Sequence, residues 1–173
     1  MLMGGFYISG KFPIDRAIKA LTVLWLILSL CILTACGKEV GAYQVMEEFR
    51  IGYGIERPVF SPTVAEGCEG YCYDGFLEGV FGQISDSVED YAILFVSDIH
   101  AVGECAVLIC YSTYDAISVT SSVFARLDFL KSHAGSLDTS YLEDAFVRRC
   151  GRVVIFSALP DNEKAARLFD RLI

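Results

Sequence analysis

The fold is decided by the stretch YAILFVSDIHAVGECAVLICY, which runs from Tyr91 to Tyr111. Its two outer parts, Tyr91–Val96 and Glu104–Tyr111, are bounded apolar runs rich in residues that favour β-structure, so each predicts a strand. A turn at Val102-Gly103 joins them. A connection this short favours an antiparallel hairpin over a crossover to a parallel neighbour.

A second hairpin and three helices are predicted around this first hairpin. The longest helix covers Asp115 to Ser132, and its buried face is predicted to consist of Ala116, Val119, Val123, Leu127 and Leu130. A shorter helix is predicted over Tyr71–Gly82 and a helical turn over Thr139–Glu143. Strands over Ala145–Arg149 and Val153–Ser157 form the second hairpin, which turns near Gly151. Asp161 caps a C-terminal helix whose buried residues are Ala165, Leu168, Phe169 and Leu172. The order α-β-β-α-β-β-α predicts an α+β fold, in which helices cover one face of a small antiparallel sheet of two hairpins.

The N-terminal region carries a targeting signal. The run ALTVLWLILSLCILTAC extends from Ala20 to Cys36 and follows three positive charges, those of Lys11, Arg16 and Lys19. This order of a positive segment, an apolar segment and a small-residue cleavage site is typical of a secretory signal. We therefore predict that residues 1–35 are a signal peptide.

The four residues Leu33-Thr34-Ala35-Cys36 resemble the lipobox of bacterial lipoproteins. The resemblance implies cleavage before Cys36 and a diacylglycerol thioether on its sulfur. An uncleaved transmembrane anchor is the alternative, but Ala20–Ala35 would form only about 24 Å of helix against a hydrocarbon core of about 30 Å. On either interpretation the rest of the chain lies on the extracytoplasmic face of the cell membrane.

Charge and glycine content describe the part that follows the signal. The whole chain has a formal charge of −8 and the signal carries +2, so the mature chain carries −10. Such an acidic chain is repelled by phosphate backbones, which makes nucleic acid a poor partner. Residues 36–63 contain several glycines and prolines without a long periodic pattern, so we predict a lipidated tether there, with a helical turn around Val45–Phe49, and a single α+β domain over 64–173.

Seven cysteines are present, and five remain once Cys31 leaves with the signal and Cys36 carries lipid. The five are Cys68, Cys72, Cys105, Cys110 and Cys150. An odd number cannot form a closed disulfide framework. The main prediction is unpaired thiols that pack in the core; a local Cys68–Cys72 disulfide, a redox site and a zinc site completed by Cys150 are the alternatives. The spacing of Cys105 and Cys110 puts them on opposite faces of a strand, so only one of them could join such a site.

Other polar residues give weaker indications. Asp98 and His100 share one side of an extended strand, and with Glu104 they could bind a divalent ion weakly. His133 is predicted to interact with the C-terminal end of a helix. The remaining features are interpreted as structural: the acidic pairs Glu47-Glu48 and Glu89-Asp90 as solvated turns, Gly52-x-Gly54 as an isolated fragment, and Tyr71, Tyr73, Phe76 and Phe81 as core aromatics. No catalytic residues, metal ligands or cofactor are assigned.

The pattern as a whole resembles a family of small lipoproteins of Gram-positive anaerobes whose C-terminal domain has no known function. The resemblance rests on the lipobox, Val88-Glu89-Asp90-Tyr91-Ala92-Ile93, Gly103-Glu104-Cys105-Ala106-Val107-Leu108, the long helix, and Tyr141-Leu142-Glu143-Asp144-Ala145 leading into Gly151-Arg152-Val153-Val154. It covers about Phe76 to the C-terminus. It implies a surface location and an α+β domain, and it brings no activity or site residues.

The sequence therefore predicts a membrane-anchored extracytoplasmic lipoprotein, held by lipid on Cys36, with a binding or structural role and not an enzymatic one. The alternative hypothesis is a thiol- or metal-dependent activity that uses Cys68, Cys72 and Cys150.

Overall fold

A five-stranded antiparallel sheet forms the centre of the protein. The computed structural model describes residues 40–97, 102–133 and 140–173, so the predicted signal peptide and Cys36 lie outside the described residues. The strands are β1 (Val59–Phe60), β2 (Val88–Ser97), β3 (Val102–Cys110), β4 (Phe146–Cys150) and β5 (Val153–Ala158). They lie in the order β1-β2-β3-β5-β4, with β3 in the middle.

Both predicted hairpins are present. The first pairs β2 with β3 in a register that sets Ile93 opposite Ala106, and the second pairs β4 with β5. The second hairpin turns at Gly151, whose φ of +58° lies in the left-handed region that glycine adopts at low energy. The α+β prediction is confirmed, with strand ends a few residues from those predicted.

The described residues contain four α-helices: α1 (Ala42–Tyr53), α2 (Phe76–Phe81), α3 (Thr113–His133) and α4 (Asn162–Leu172). The helix predicted over Tyr71–Gly82 is thus shorter than expected. A single 3-10 turn at Ser140–Leu142 stands where a helical turn over Thr139–Glu143 was predicted.

Successive residues of β3 point into two different cores. Ala106 and Leu108 face the core that the sheet forms with α2 and α3, whereas Cys105 and Val107 face the core formed with α1 and α4. Because side chains alternate along a strand, an apolar run without polar alternation indicates a strand that is buried on both faces. Helices therefore cover both faces of the sheet, and the prediction that they cover only one face was wrong.

The α3 helix covers the first face as its periodicity predicts. Four of the five residues predicted for its inner face are buried, and the fifth, Leu130, is half-buried against the same core. The four are Ala116, Val119, Val123 and Leu127. Spacings of three and four residues keep one stripe of the helix against the sheet. Burial of this stripe outweighs the lower helix propensity of the β-branched residues in the segment.

The largest difference from the sequence-based prediction concerns the segment before β2. The tether predicted over 36–63 is wrong from Ala42 onward, because α1 is a buried helix and β1 pairs with β2. The inner face of α1 is formed by Ala42, Val45, Met46 and Phe49, all of them buried. The compact unit begins at Val40, and the predicted domain start at residue 64 is wrong for the same reason.

The helices α1 and α4 pack side by side on the second face. The ring of Phe49 stacks on that of Phe169 with 4.4 Å between centroids, and the Tyr53 hydroxyl accepts the backbone N–H of Asp161 at 2.9 Å. Asp161 also caps α4 as predicted, since its Oδ1 accepts the backbone N–H of Lys164 at 2.8 Å. The end of α1 thus meets the start of α4, and the two helices run antiparallel.

One end of the sheet lies beside the start of α1, and we call it the proximal end. Here β2 begins at Val88, β3 ends at Cys110, and β4 and β5 are joined at Gly151. Asp90 Oδ2 accepts the backbone N–H of Ala42 at 2.8 Å, so a residue of β2 caps the first helix. The opposite end, where β2 leads into β3, is the distal end.

A buried α1 predicts a large effect of Phe49→Ala. Removing a fully buried ring that stacks on Phe169 should lower the free energy of unfolding by about 3–5 kcal/mol. The measurement is urea unfolding of the chain from Gly37 onward, followed by far-UV circular dichroism. Ile51→Ala is the matched control on the exposed side of the same helix, and it should change stability by less than about 0.5 kcal/mol. Equal, small effects of both substitutions would contradict a packed α1.

Candidate functional site

The five cysteines of the described residues are all free thiols. Cys105 and Cys110 are fully buried on opposite faces of β3, which confirms both their predicted placement and their packing role. Cys72 is buried beside β1 and β2. Cys68 and Cys150 are exposed, so the prediction of packing thiols was wrong for these two.

The structure separates the three cysteines of the alternative hypothesis. The Cys72 thiol lies next to Tyr91 of β2, whereas Cys150 lies on β4. β3 and β5 stand between these strands, which places them about 14 Å apart at about 4.8 Å per strand. A zinc ion binds thiolate sulfur at about 2.3 Å. One metal ion or one disulfide therefore cannot join Cys72 to Cys150 in this fold, and no cluster of three His, Cys, Asp or Glu ligands occurs among the described residues.

A backbone contact fixes the loop that carries Cys68 and Cys72. Gly70 has a φ of +89°, and a Cβ at this position would lie 2.2 Å from the carbonyl oxygen of Val59 in β1. Its own carbonyl accepts the backbone N–H of Ser61 at 3.1 Å. Only glycine allows this close approach. The approach turns Cys72 inward, with its Sγ 3.8 Å from the Gly70 carbonyl oxygen.

A cleft of about 320 Å³ opens beside Cys72, which is one of its lining residues. Asp74, Glu78 and Glu89 lie along its walls, and the Tyr91 hydroxyl hydrogen-bonds the Cys72 thiol. Burial raises the pKa of Cys72, and burial with the Cys72 hydrogen bond raises the pKa of Tyr91. Both groups are therefore neutral at pH 7. The cleft is suited to a polar or cationic ligand and not to attack by a thiolate.

Glu104 belongs to a buried ion pair and not to the divalent-cation site that we considered from the sequence. Its side chain is 2% exposed, and both carboxylate oxygens are held by Arg126 of α3, Nε at 2.9 Å and a terminal nitrogen at 2.7 Å. The Glu104 hydrogen bond raises the pKa of Arg126. Asp98 and His100 lie outside the described residues. Glu104 therefore fixes α3 to the sheet through a bidentate charged contact.

The remaining polar predictions resolve into structural contacts. His133 Nδ1 lies 2.9 Å from the carbonyl oxygen of Phe129, so the imidazole meets the last turn of α3 as predicted. The interpretation of the acidic pairs as solvated turns was wrong. Glu47 lies in α1 and forms an ion pair with Arg50, and Glu89 lies in β2 and forms one with Arg152. Gly54 ends α1 in a left-handed conformation.

The aromatic residues that we assigned to the core divide into two groups. Phe81 is buried and Phe76 is half-buried, whereas Tyr71 and Tyr73 are exposed. Tyr111 and Tyr114 were not predicted as site residues, and both are exposed at the proximal end. Their exposure could have been predicted from the sequence, because neither tyrosine belongs to the buried stripe of α3 that begins with Ala116 and Val119.

No family model, curated protein or solved structure matches this chain. Within the described residues, none of the helices combines the length and the apolar character needed to span a bilayer. The candidate site therefore rests on the geometry of the chain itself.

The buried ion pair predicts that removing Arg126 alone destabilises the protein more than replacing Arg126 and Glu104 together. Arg126→Met should lower the free energy of unfolding by about 3–5 kcal/mol, because it leaves the Glu104 carboxylate buried without a partner. The double variant Glu104→Gln with Arg126→Met should recover most of that loss. Urea unfolding measures all three proteins.

The control is Arg148→Met, which breaks the exposed pair with Asp170. It should lower the free energy of unfolding by less than about 1 kcal/mol. An Arg126→Met variant as stable as this control would contradict a structural role for the buried pair.

The exposure of the cysteines predicts that two of the five thiols are alkylated fast in the native protein and three slowly. Cys68 and Cys150 are exposed and should react with iodoacetamide at pH 8 in the native state, whereas Cys72, Cys105 and Cys110 should react only after unfolding. Burial raises the pKa of Cys110 to about 11, so about one thiol in a thousand is ionised at pH 8. Intact mass before and after denaturation counts the adducts. Protection of Cys68 that ends only on reduction would show a disulfide and overturn this assignment.

Proposed function

We propose that this chain is an extracytoplasmic lipoprotein, held at the cell membrane by lipid on Cys36, whose folded domain has a binding or structural role. The observation that carries the proposal is the sequence Leu33-Thr34-Ala35-Cys36 at the end of an apolar run that follows positive charges. We also propose that the chain belongs with the small lipoproteins of Gram-positive anaerobes that it resembles.

The position of the folded domain supports an anchoring role for the N-terminal segment. The compact unit begins at Val40, only four residues after Cys36. An acylated cysteine inserts its chains into the bilayer, and each buried methylene contributes about 0.8 kcal/mol. Two or more chains on one residue are sufficient for stable attachment, so the domain needs no membrane-spanning segment of its own.

The arrangement of reactive groups supports binding over catalysis. The only described thiol that lines the acidic cleft is that of Cys72, and burial raises its pKa. The thiol- or metal-dependent alternative would need Cys68, Cys72 and Cys150 together, and Cys150 lies on the far edge of the sheet. An acidic cleft with hydrogen-bonding groups and no ionised nucleophile is suited to holding a polar or cationic ligand.

The proposal predicts that Cys36→Ser abolishes both lipid attachment and cleavage of the signal. Loss of the lipid acceptor should prevent processing, so the wild-type chain should gain the mass of the lipid and lose residues 1–35, whereas the Cys36→Ser chain should show neither change. Intact mass of the membrane extract is the measurement.

Cys31→Ser is the matched control, because Cys31 lies in the same apolar run five residues earlier. It should be processed and retained like the wild-type chain. A wild-type mass that still includes residues 1–35 would instead support the retained transmembrane anchor and would overturn lipidation at Cys36.

A further inference from the structure

The proximal end of the sheet carries a group of exposed apolar side chains. Tyr114 is 77% exposed and Tyr111 is 60% exposed, and Val40 and Ile173 also present exposed apolar surface. We call these four residues the proximal patch. Other exposed apolar side chains, such as Ile51 and Tyr73, lie elsewhere on the domain, so exposure alone does not select this end. What distinguishes the proximal patch is its position in the chain relative to Cys36.

Backbone contacts show why the first three of these residues lie at the same end. Val40 precedes the start of α1, whose first N–H is capped by Asp90 near the beginning of β2. Tyr111 follows the end of β3, and its backbone N–H donates to the carbonyl of Ser87 just before β2. Tyr114 lies in the first turn of α3, three residues after Tyr111.

The fourth residue, Ile173, reaches the same end through the direction of α4. This helix starts beside Tyr53, at the end of α1, and runs antiparallel to α1. Its last turn therefore lies beside the start of α1. Leu172 belongs to the same apolar cluster as Val153, which begins β5 at the proximal end.

The lipid-bearing residue cannot be far from this end. Val40 is four positions after Cys36 along the chain. Even a fully extended chain spans at most about 3.6 Å per residue, so the Cα atoms of Cys36 and Val40 lie within about 14 Å of each other. This distance is roughly the thickness of one head-group layer and a few methylenes. The link is therefore much shorter than a tether over residues 36–63 would be.

We propose that the proximal patch rests on the lipid bilayer surface, so that the domain sits against the membrane in one fixed orientation. This inference depends on the proposed lipid anchor at Cys36. Tyrosine is enriched at the boundary between head groups and hydrocarbon, because its ring is apolar and its hydroxyl hydrogen-bonds water and head groups. With the proximal end down, the distal end with Glu104 and Arg126 points away from the membrane.

Charges at the proximal end are of both signs. The basic residues are Arg149, Arg152 and Arg171, and the acidic residues are Asp86, Glu89, Asp90 and Asp115. Glu89 pairs with Arg152, and Asp90 caps α1. Zwitterionic head groups do not strongly repel a surface that carries charges of both signs. The proposed contact therefore depends on the exposed tyrosines and on the short link to Cys36, and not on anionic lipid.

The test uses tryptophan fluorescence, because the only tryptophan of the chain is Trp25 in the predicted signal and the mature chain has none. The full chain is expressed in a host that processes lipoproteins, with either Tyr114→Trp or Phe129→Trp. Both positions are exposed aromatics on α3, and they lie about 22 Å apart along its axis. Each lipoprotein is reconstituted into phosphatidylcholine vesicles with or without brominated acyl chains.

The expected result is quenching by about twofold in the Tyr114→Trp variant and less than about 1.1-fold in the Phe129→Trp variant, because bromine quenches only at close range and tyrosine positions favour the interface. Equal quenching, or none in either variant while the protein stays bound, would overturn the orientation and leave the lipid anchor intact. A protein that does not enter the vesicles at all would overturn both proposals.

Discussion

The central strand β3 must be covered on both faces, and the rest of the architecture depends on this constraint. Cys105 and Val107 point one way and Ala106 and Leu108 the other, and each of them is at most 1% exposed. Burying an apolar side chain of this size contributes about 1.5–3 kcal/mol, so an uncovered face would lose much of the stability of a small domain. The chain meets the constraint with α3 and α2 on one face and with α1 and α4 on the other.

Much of the fold could be predicted from local pattern. Strands β2 to β5, helix α3 and the Asp161 cap follow from apolar runs, periodicity and turn residues that lie close together in sequence. Of α1, only a helical turn around Val45–Phe49 was predicted, because the surrounding glycines and prolines suggested a spacer. The buried residues Ala42, Val45, Met46 and Phe49 nevertheless have helical spacing. The apolar run from Cys105 to Ile109 could have predicted a helix layer on the second face, since a strand without polar alternation is buried on both sides.

The candidate site was less predictable, because it depends on which strands are neighbours. Sequence spacing correctly placed Cys105 and Cys110 on opposite faces of one strand. It could not show that β3 and β5 separate Cys150 from Cys72, since sheet order is a long-range property of the chain. The partner of Glu104 was hidden for the same reason, because Arg126 lies on α3, which packs over the strand, 22 positions later in sequence.

The stacking of Phe49 on Phe169 has a consequence for the order of folding. A chain that is made from its N-terminus exposes α1 first, but the aromatic partner of Phe49 belongs to the last helix. Until that helix arrives, the apolar face of α1 has no complete cover, and the contacts that fix it are among the most distant in the sequence. Folding of this domain is therefore a late event that awaits the whole chain, and contacts of such long range are formed slowly. A chain shortened by α4 would leave Phe49 and the second face of β3 uncovered, which is a surface prone to aggregation.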